Sequence, residues 1–198
     1  MYDNKSYGGF NIIKFNIIKT VRENSYEEYA AEFRAALATG NYDVEKSFIL
    51  DNGAYVLFEK GHIFHEDEID VARALANHGI IVELQNEGNP SRATFIDAKG
   101  EPKFSEGTLS IEKLTFEQAS KENFSEAYKG VKKALEHCKS KGSEIAVVYD
   151  KKGLFHKEDV SKGIIEYEKH ENNMRHPFKA ILLISKDKKV FEWRHNKK

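Results

Sequence analysis

Near the end of the chain stands Arg175-His176-Pro177, followed by Lys179 and then by Trp193-Arg194-His195. A histidine, with an unperturbed pKa of about 6.5, exchanges protons at neutral pH. Arginine and lysine beside it can hold a phosphate, arginine through its planar fork of donors. Cleaving RNA without a metal needs little more than this. It takes a base for the 2′-hydroxyl, a cation for the developing oxyanion and an acid for the leaving 5′-oxygen. His176 is therefore the candidate general acid or base, and Arg175, Lys179 and Arg194 are the candidate phosphate ligands. The plainer reading of the same residues is a solvated basic C-terminus.

A second constellation is acidic. Asp97 and Glu106 end two adjacent extended segments. Two carboxylates across a hairpin can share a divalent metal that activates water for phosphodiester attack. Metal nucleases of this kind carry a lysine two residues after the glutamate, and that position here is Thr108. Surface acids at a turn are the alternative. A third group, His62, His65 and Glu68, flanks the start of a helix rich in acids: Glu66, Asp67, Glu68 and Asp70. Such acids suit the positive end of a helix dipole. In the functional alternative, His62, His65 and Glu68 face a cleft and bind a cation or shuttle a proton.

Other chemistries are disfavoured. There is no Walker A pattern, no Gly-x-Gly-x-x-Gly, no His-Glu-x-x-His and no Gly-x-Ser-x-Gly. Cys138 is the only cysteine, which excludes an internal disulfide and a cysteine-rich zinc site. It lies on the apolar side of an expected helix and reads as a buried structural thiol. With 31 basic and 32 acidic residues the formal net charge is −1, so a protein that coats DNA is disfavoured, while a local basic cleft is not. Hydrophobic residues make up 40% of the 198 residues, enough for one domain with a real core. The N-terminus shows no signal pattern and no apolar run approaches the ~20 residues of a membrane span. A cytoplasmic protein is expected, with no membrane partner.

These groups must be positioned by local structure. A β-branched run at Phe10–Thr20 favours a strand. Ser25-Tyr-Glu-Glu28 matches a capping box for a helix ending at Gly40. Asn52-Gly53 turns a hairpin between Lys46–Leu50 and Ala54–Glu59. A helix over Glu66–His78 stops at Gly79. Extended segments follow at Ile80–Gln85, Ala93–Asp97 and Phe104–Phe116. Apolar residues at helical spacing mark Asn123–Ser140, ended by Gly142. Glu144–Tyr149 reads as a strand and Lys157–Lys169 as a helix. Phe178–Ser185 and Lys189–Arg194 form a closing hairpin through Lys186-Asp187-Lys188. Ile80, Val82, Leu84, Phe95, Ile145, Val147, Val148 and Ile181–Ile184 are the expected sheet core.

From Ala72-Arg-Ala-Leu-Ala-Asn-His-Gly79 and Ile80–Leu84 onward, the chain resembles the C-terminal toxin domains of contact-dependent growth inhibition proteins and related phage and mobile-element domains. There, a helix ending in Ala-x-x-Leu-Ala-x-x-Gly precedes a strand. A hairpin of pattern Pro-Asp-x-x-Ile-Asp-Gly-x-x-x-Glu-x-Lys follows, then a glutamine-bearing segment and a helix. This chain offers Phe95-Ile96-Asp97, Gly100, Phe104-Ser-Glu106-Gly-Thr108 and Gln118. Arg92 and Ala93 stand about where the Pro-Asp pair would be, and Thr108 replaces the lysine. The resemblance covers roughly residues 55–195. It implies the barnase–EndoU–colicin–RelE superfamily, whose members are mostly metal-independent RNases. The departures leave open a diverged nuclease or a member without catalysis.

The expectation is thus an α+β protein with a mixed, largely antiparallel sheet and packed helices, RNase-toxin-like. Residues 1–45 would form an N-terminal strand-helix layer and residues 46–198 the nuclease-like domain. The expected function is cleavage of RNA, tRNA included, without a cofactor, with His176 as acid or base and with Thr108 and Glu106 orienting substrate or catalytic groups. RNA is the expected partner, and the resemblance adds a cognate inhibitor protein. The rivals are a degenerate restriction-endonuclease-like metal nuclease using Asp97 and Glu106, and a non-catalytic interaction domain of a mobile element.

Overall fold

A computed structural model describes residues 16–17, 26–63, 65–86, 91–95, 107–113, 127–175 and 177–193. The chain is an α+β protein whose mixed, largely antiparallel sheet is packed with helices. In chain order the elements are β1 (Asn16–Ile17), α1 (Tyr26–Ala38), β2 (Phe48–Ile49), β3 (Tyr55–Phe58), α2 (Glu66–Asn77), β4 (Ile80–Leu84), β5 (Ser91–Phe95) and β6 (Gly107–Lys113). Then come α3 (Ala127–Ser140), β7 (Ile145–Tyr149), α4 (Lys157–Glu168), α5 (Glu171–Arg175), β8 (Ala180–Ile184) and β9 (Val190–Trp193).

The described strands form one sheet in the order β1-β9-β8-β7-β6-β5-β4-β3-β2. Three pairs are parallel: β3 with β4, β6 with β7, and β7 with β8. Each needs a crossover, and α2, α3 and α4 supply them. The remaining pairs are antiparallel, including the expected hairpins β2–β3, β5–β6 and β8–β9.

Burial follows from helices on both faces. Alternate residues of β7 and β8 (Ile145, Val147, Tyr149; Ala180, Leu182, Ile184) share a cluster with Val71 and Leu75 of α2. The opposite alternates (Ala146, Val148, Ile181) pack with Val131 and Leu135 of α3 and Ile164 and Tyr167 of α4. A strand covered on both sides reads as a continuous apolar run, which explains Ile-Ala-Val-Val-Tyr in β7, buried throughout. Of the expected core residues, all are buried except Leu183, which is half-buried. Cys138 is buried, as expected. Tyr29 and Phe33 of α1 join the same core as Tyr55 of β3, with the Phe33 and Tyr55 rings 5.5 Å apart.

Among the described residues, no helix is long and apolar enough to cross a membrane.

Candidate functional site

The three parallel strands β6, β7 and β8 all begin at one end of the sheet, and the antiparallel strands β5 and β9 finish there. Their registers make this end compact. Ala93 of β5 lies opposite Gly107 of β6. Ile145 of β7 lies opposite Ala180 of β8. Trp193 of β9 lies opposite Ile181 of β8. Gly107 admits a close approach here: a Cβ on it would stand 2.7 Å from Ile145 Cδ1.

Glu144 and Lys179 are the residues just before β7 and β8, so parallel pairing makes them neighbours. The Lys179 ammonium lies 2.7 Å from Glu144 Oε1. The Lys179 amide donates to the Glu144 carbonyl at 2.8 Å. Thr108, second residue of β6, closes the set from the other side. Its amide donates to Glu144 Oε2 at 3.0 Å, and its hydroxyl accepts from the Glu144 amide at 3.1 Å. The same hydroxyl donates to the Gly142 carbonyl at 3.4 Å. The hydrogen bond from Lys179 and that from the Thr108 amide hold the Glu144 carboxyl below its ordinary range, against a smaller desolvation effect. Glu144 is thus an anion at neutral pH, flanked by a cation and a fixed backbone donor.

A depressed carboxyl has a stability consequence. Its contribution is fully present above the ordinary carboxylate range and is lost as pH falls through its lowered folded value. The thermal midpoint of the wild type minus that of Glu144→Gln should therefore shrink as the pH is taken from neutral to strongly acidic. A gap that grew on acidification would contradict the ion pair.

Of the residues expected at the site, Thr108 and Lys179 come together. Neither is a loose side chain: the Thr108 hydroxyl is tied to the backbone of Gly142 and Glu144, between α3 and β7, and Lys179 is paired with Glu144. Arg175 closes α5. Asp97, Glu106, His176 and Arg194 lie outside the described residues, as does Gln118. Of the described residues next to them in the chain, Gly107 opens β6, Trp193 closes β9, and Pro177 stands two residues before Lys179. Arg92 and Ala93 sit in β5, with Arg92 exposed and directly opposite Thr108, and Ala93 buried.

The histidines at the start of α2 belong to the opposite end. His62 Nδ1 lies 2.8 Å from the Gln85 carbonyl, and Nε2 lies 3.3 Å from the Glu68 carboxylate. His62 thereby links the start of α2 to the residue following β4. His65 caps α2 by position, is exposed and makes no side-chain cap bond. The neighbouring acids are engaged across the sheet face: Asp67 pairs with Lys151 at 2.6 Å and Asp70 with Lys188 at 2.6 Å. Lys188 also donates to the Tyr149 hydroxyl. Among the described residues, no three His, Cys, Asp or Glu side chains gather as a metal ion would require.

Glu144 is the member that inspection of the sequence missed. Its signal was faint: one acid immediately before a fully apolar strand, with Lys179 in the same place before the next.

Comparison of the chain with protein-family models, with curated proteins and with solved structures found no match.

Proposed function

We propose that this protein is an RNA-cleaving, toxin-type nuclease that acts on RNA, tRNA included, by metal-independent acid–base chemistry. One observation carries the reading. Thr108, Glu144 and Lys179 form a single bonded set at the sheet end that Gly107 opens and Trp193 closes, the chain neighbours of Glu106 and Arg194. In the proposed reaction His176 exchanges the proton, Lys179, Arg175 and Arg194 hold phosphate, and Thr108 and Glu106 orient the reacting groups. The succession α2, β4, β5, β6, α3 also follows the helix–strand–hairpin–helix layout of the contact-dependent inhibition toxins, which supports the same reading.

A metal-dependent nuclease is the second reading. The antiparallel pairing of β5 with β6 favours it, because β5 ends two residues before Asp97 in the chain and β6 begins one residue after Glu106. Incubating the purified protein with total tRNA and with duplex DNA separates the two. Loss of intact tRNA with DNA left whole is expected. DNA cleavage that requires magnesium would transfer the site to Asp97 and Glu106. No cleavage of any nucleic acid would leave a non-catalytic interaction domain.

A further inference from the structure

We infer that Arg92 and Lys179 are the two ends of a phosphate-binding row straddling Glu144, along which a nucleic-acid strand crosses the sheet end from β5 to β8, and that Glu144 competes with that strand for Lys179. This rests on the nucleic-acid reading above and adds a path, a residue and a regulating charge to it.

Arg92 is exposed and lies directly opposite Thr108 in the β5–β6 ladder. Residues directly opposite in an antiparallel pair share a face, so Arg92 and Thr108 belong to one side of the sheet. Thr108 is bonded to Glu144, and Glu144 to Lys179. After Lys179 and the Thr108 amide, the Arg92 charge also acts on the Glu144 carboxyl, so the cation reaches that far electrostatically. Neighbouring strands are about 4.8 Å apart, so the three steps from β5 to β8 span roughly 14 Å. A stacked strand carries one charge per ~3.4 Å of axis, so several consecutive phosphates fit the row. Two acids temper it: Glu83 faces Arg92 from β4, and Glu144 occupies the middle. A chain of nearly neutral net charge can then hold a phosphodiester strand locally without coating nucleic acid at large.

The test is fluorescence anisotropy of a short labelled single-stranded RNA over a salt series, with tRNA cleavage measured on the same preparations. Arg92→Gln and Lys179→Gln should each weaken binding about ten-fold, as for loss of one charge-assisted bond. Each should also flatten the plot of log affinity against log salt by about 0.7. Glu144→Gln keeps a hydrogen-bond acceptor but loses the competing charge, so it should bind RNA more tightly. Circular dichroism checks the fold of each variant. Unchanged affinity in both cation variants, in a protein that still cleaves tRNA, would overturn the row and leave the nuclease. Weaker binding by folded Glu144→Gln would overturn the competition. Binding that follows the expected order without cleavage by any variant would remove the nuclease and leave the row.

Discussion

Replacing His176 by alanine is expected to slow tRNA cleavage by about 10²–10⁴-fold, the usual yield of a positioned general acid or base. RNA affinity should barely change, because phosphate contact is assigned to Arg175, Lys179 and Arg194. Folding should also persist. The core beside this segment is carried by Phe178, which is buried and stacked on Tyr167 with ring centroids 5.5 Å apart. Phe178→Ala is thus the useful contrast: it should lose about 3–5 kcal/mol of stability through the cavity it leaves. Single-turnover cleavage with circular dichroism distinguishes the two variants. Equal cleavage by wild type and His176→Ala would remove His176 from the mechanism.

A large structural effect is also expected at Gly163, on the face of α4 that meets α3. A Cβ there would stand 2.5 Å from Val131 Cβ and 2.7 Å from the Tyr128 carbonyl oxygen. The second contact is backbone, so relief requires α3 and α4 to separate. Overpacking of this kind costs about 1–3 kcal/mol, whereas alanine in place of glycine gains about 1 kcal/mol of helix propensity. Gly163→Ala should therefore be destabilising on balance. Gly163→Val adds two methyl groups to the clash and forfeits most of the propensity gain, so roughly 3 kcal/mol or more is expected. Urea unfolding midpoints test this. A higher midpoint for Gly163→Ala would mean that the helices are not held at this spacing.

Local signals in the sequence were readable because their causes are local. Apolar members at helical spacing mark α1, α3 and α4, acids and a glycine stop mark α2, and glycines follow three of the four helices. Asn52-Gly53 and Lys186-Asp187-Lys188 marked two hairpins, and the β2–β3 and β8–β9 pairs form there. The short helix α5 was missed because Glu171-Asn-Asn-Met before Pro177 has no apolar periodicity to announce it. The parallel pairings β6–β7 and β7–β8 were not legible either. Crossover connections set them, and nothing within a strand records which neighbour it will take. The site suffered accordingly. Lys179 stands out in the sequence by its charge, but its partner Glu144 becomes a neighbour only because Ile145 lies opposite Ala180. Likewise Glu66, Asp67 and Glu68 stand in the first turn of α2, as the sequence suggests, but the pairs that Asp67 and Asp70 make with Lys151 and Lys188 arise only from tertiary packing.

The proposed chemistry leaves a signature on the product. Attack by the 2′-hydroxyl on the adjacent phosphorus forms one P–O bond and breaks the bond to the leaving 5′-oxygen, which takes up a proton. No water or metal enters that step. The most direct measurement is therefore terminal analysis of tRNA fragments produced by the purified protein in EDTA. The account predicts that cleavage persists and that fragments end in 2′,3′-cyclic phosphate and 5′-hydroxyl. Fragments that appear only when magnesium is restored, and that carry a 5′-phosphate, would contradict it.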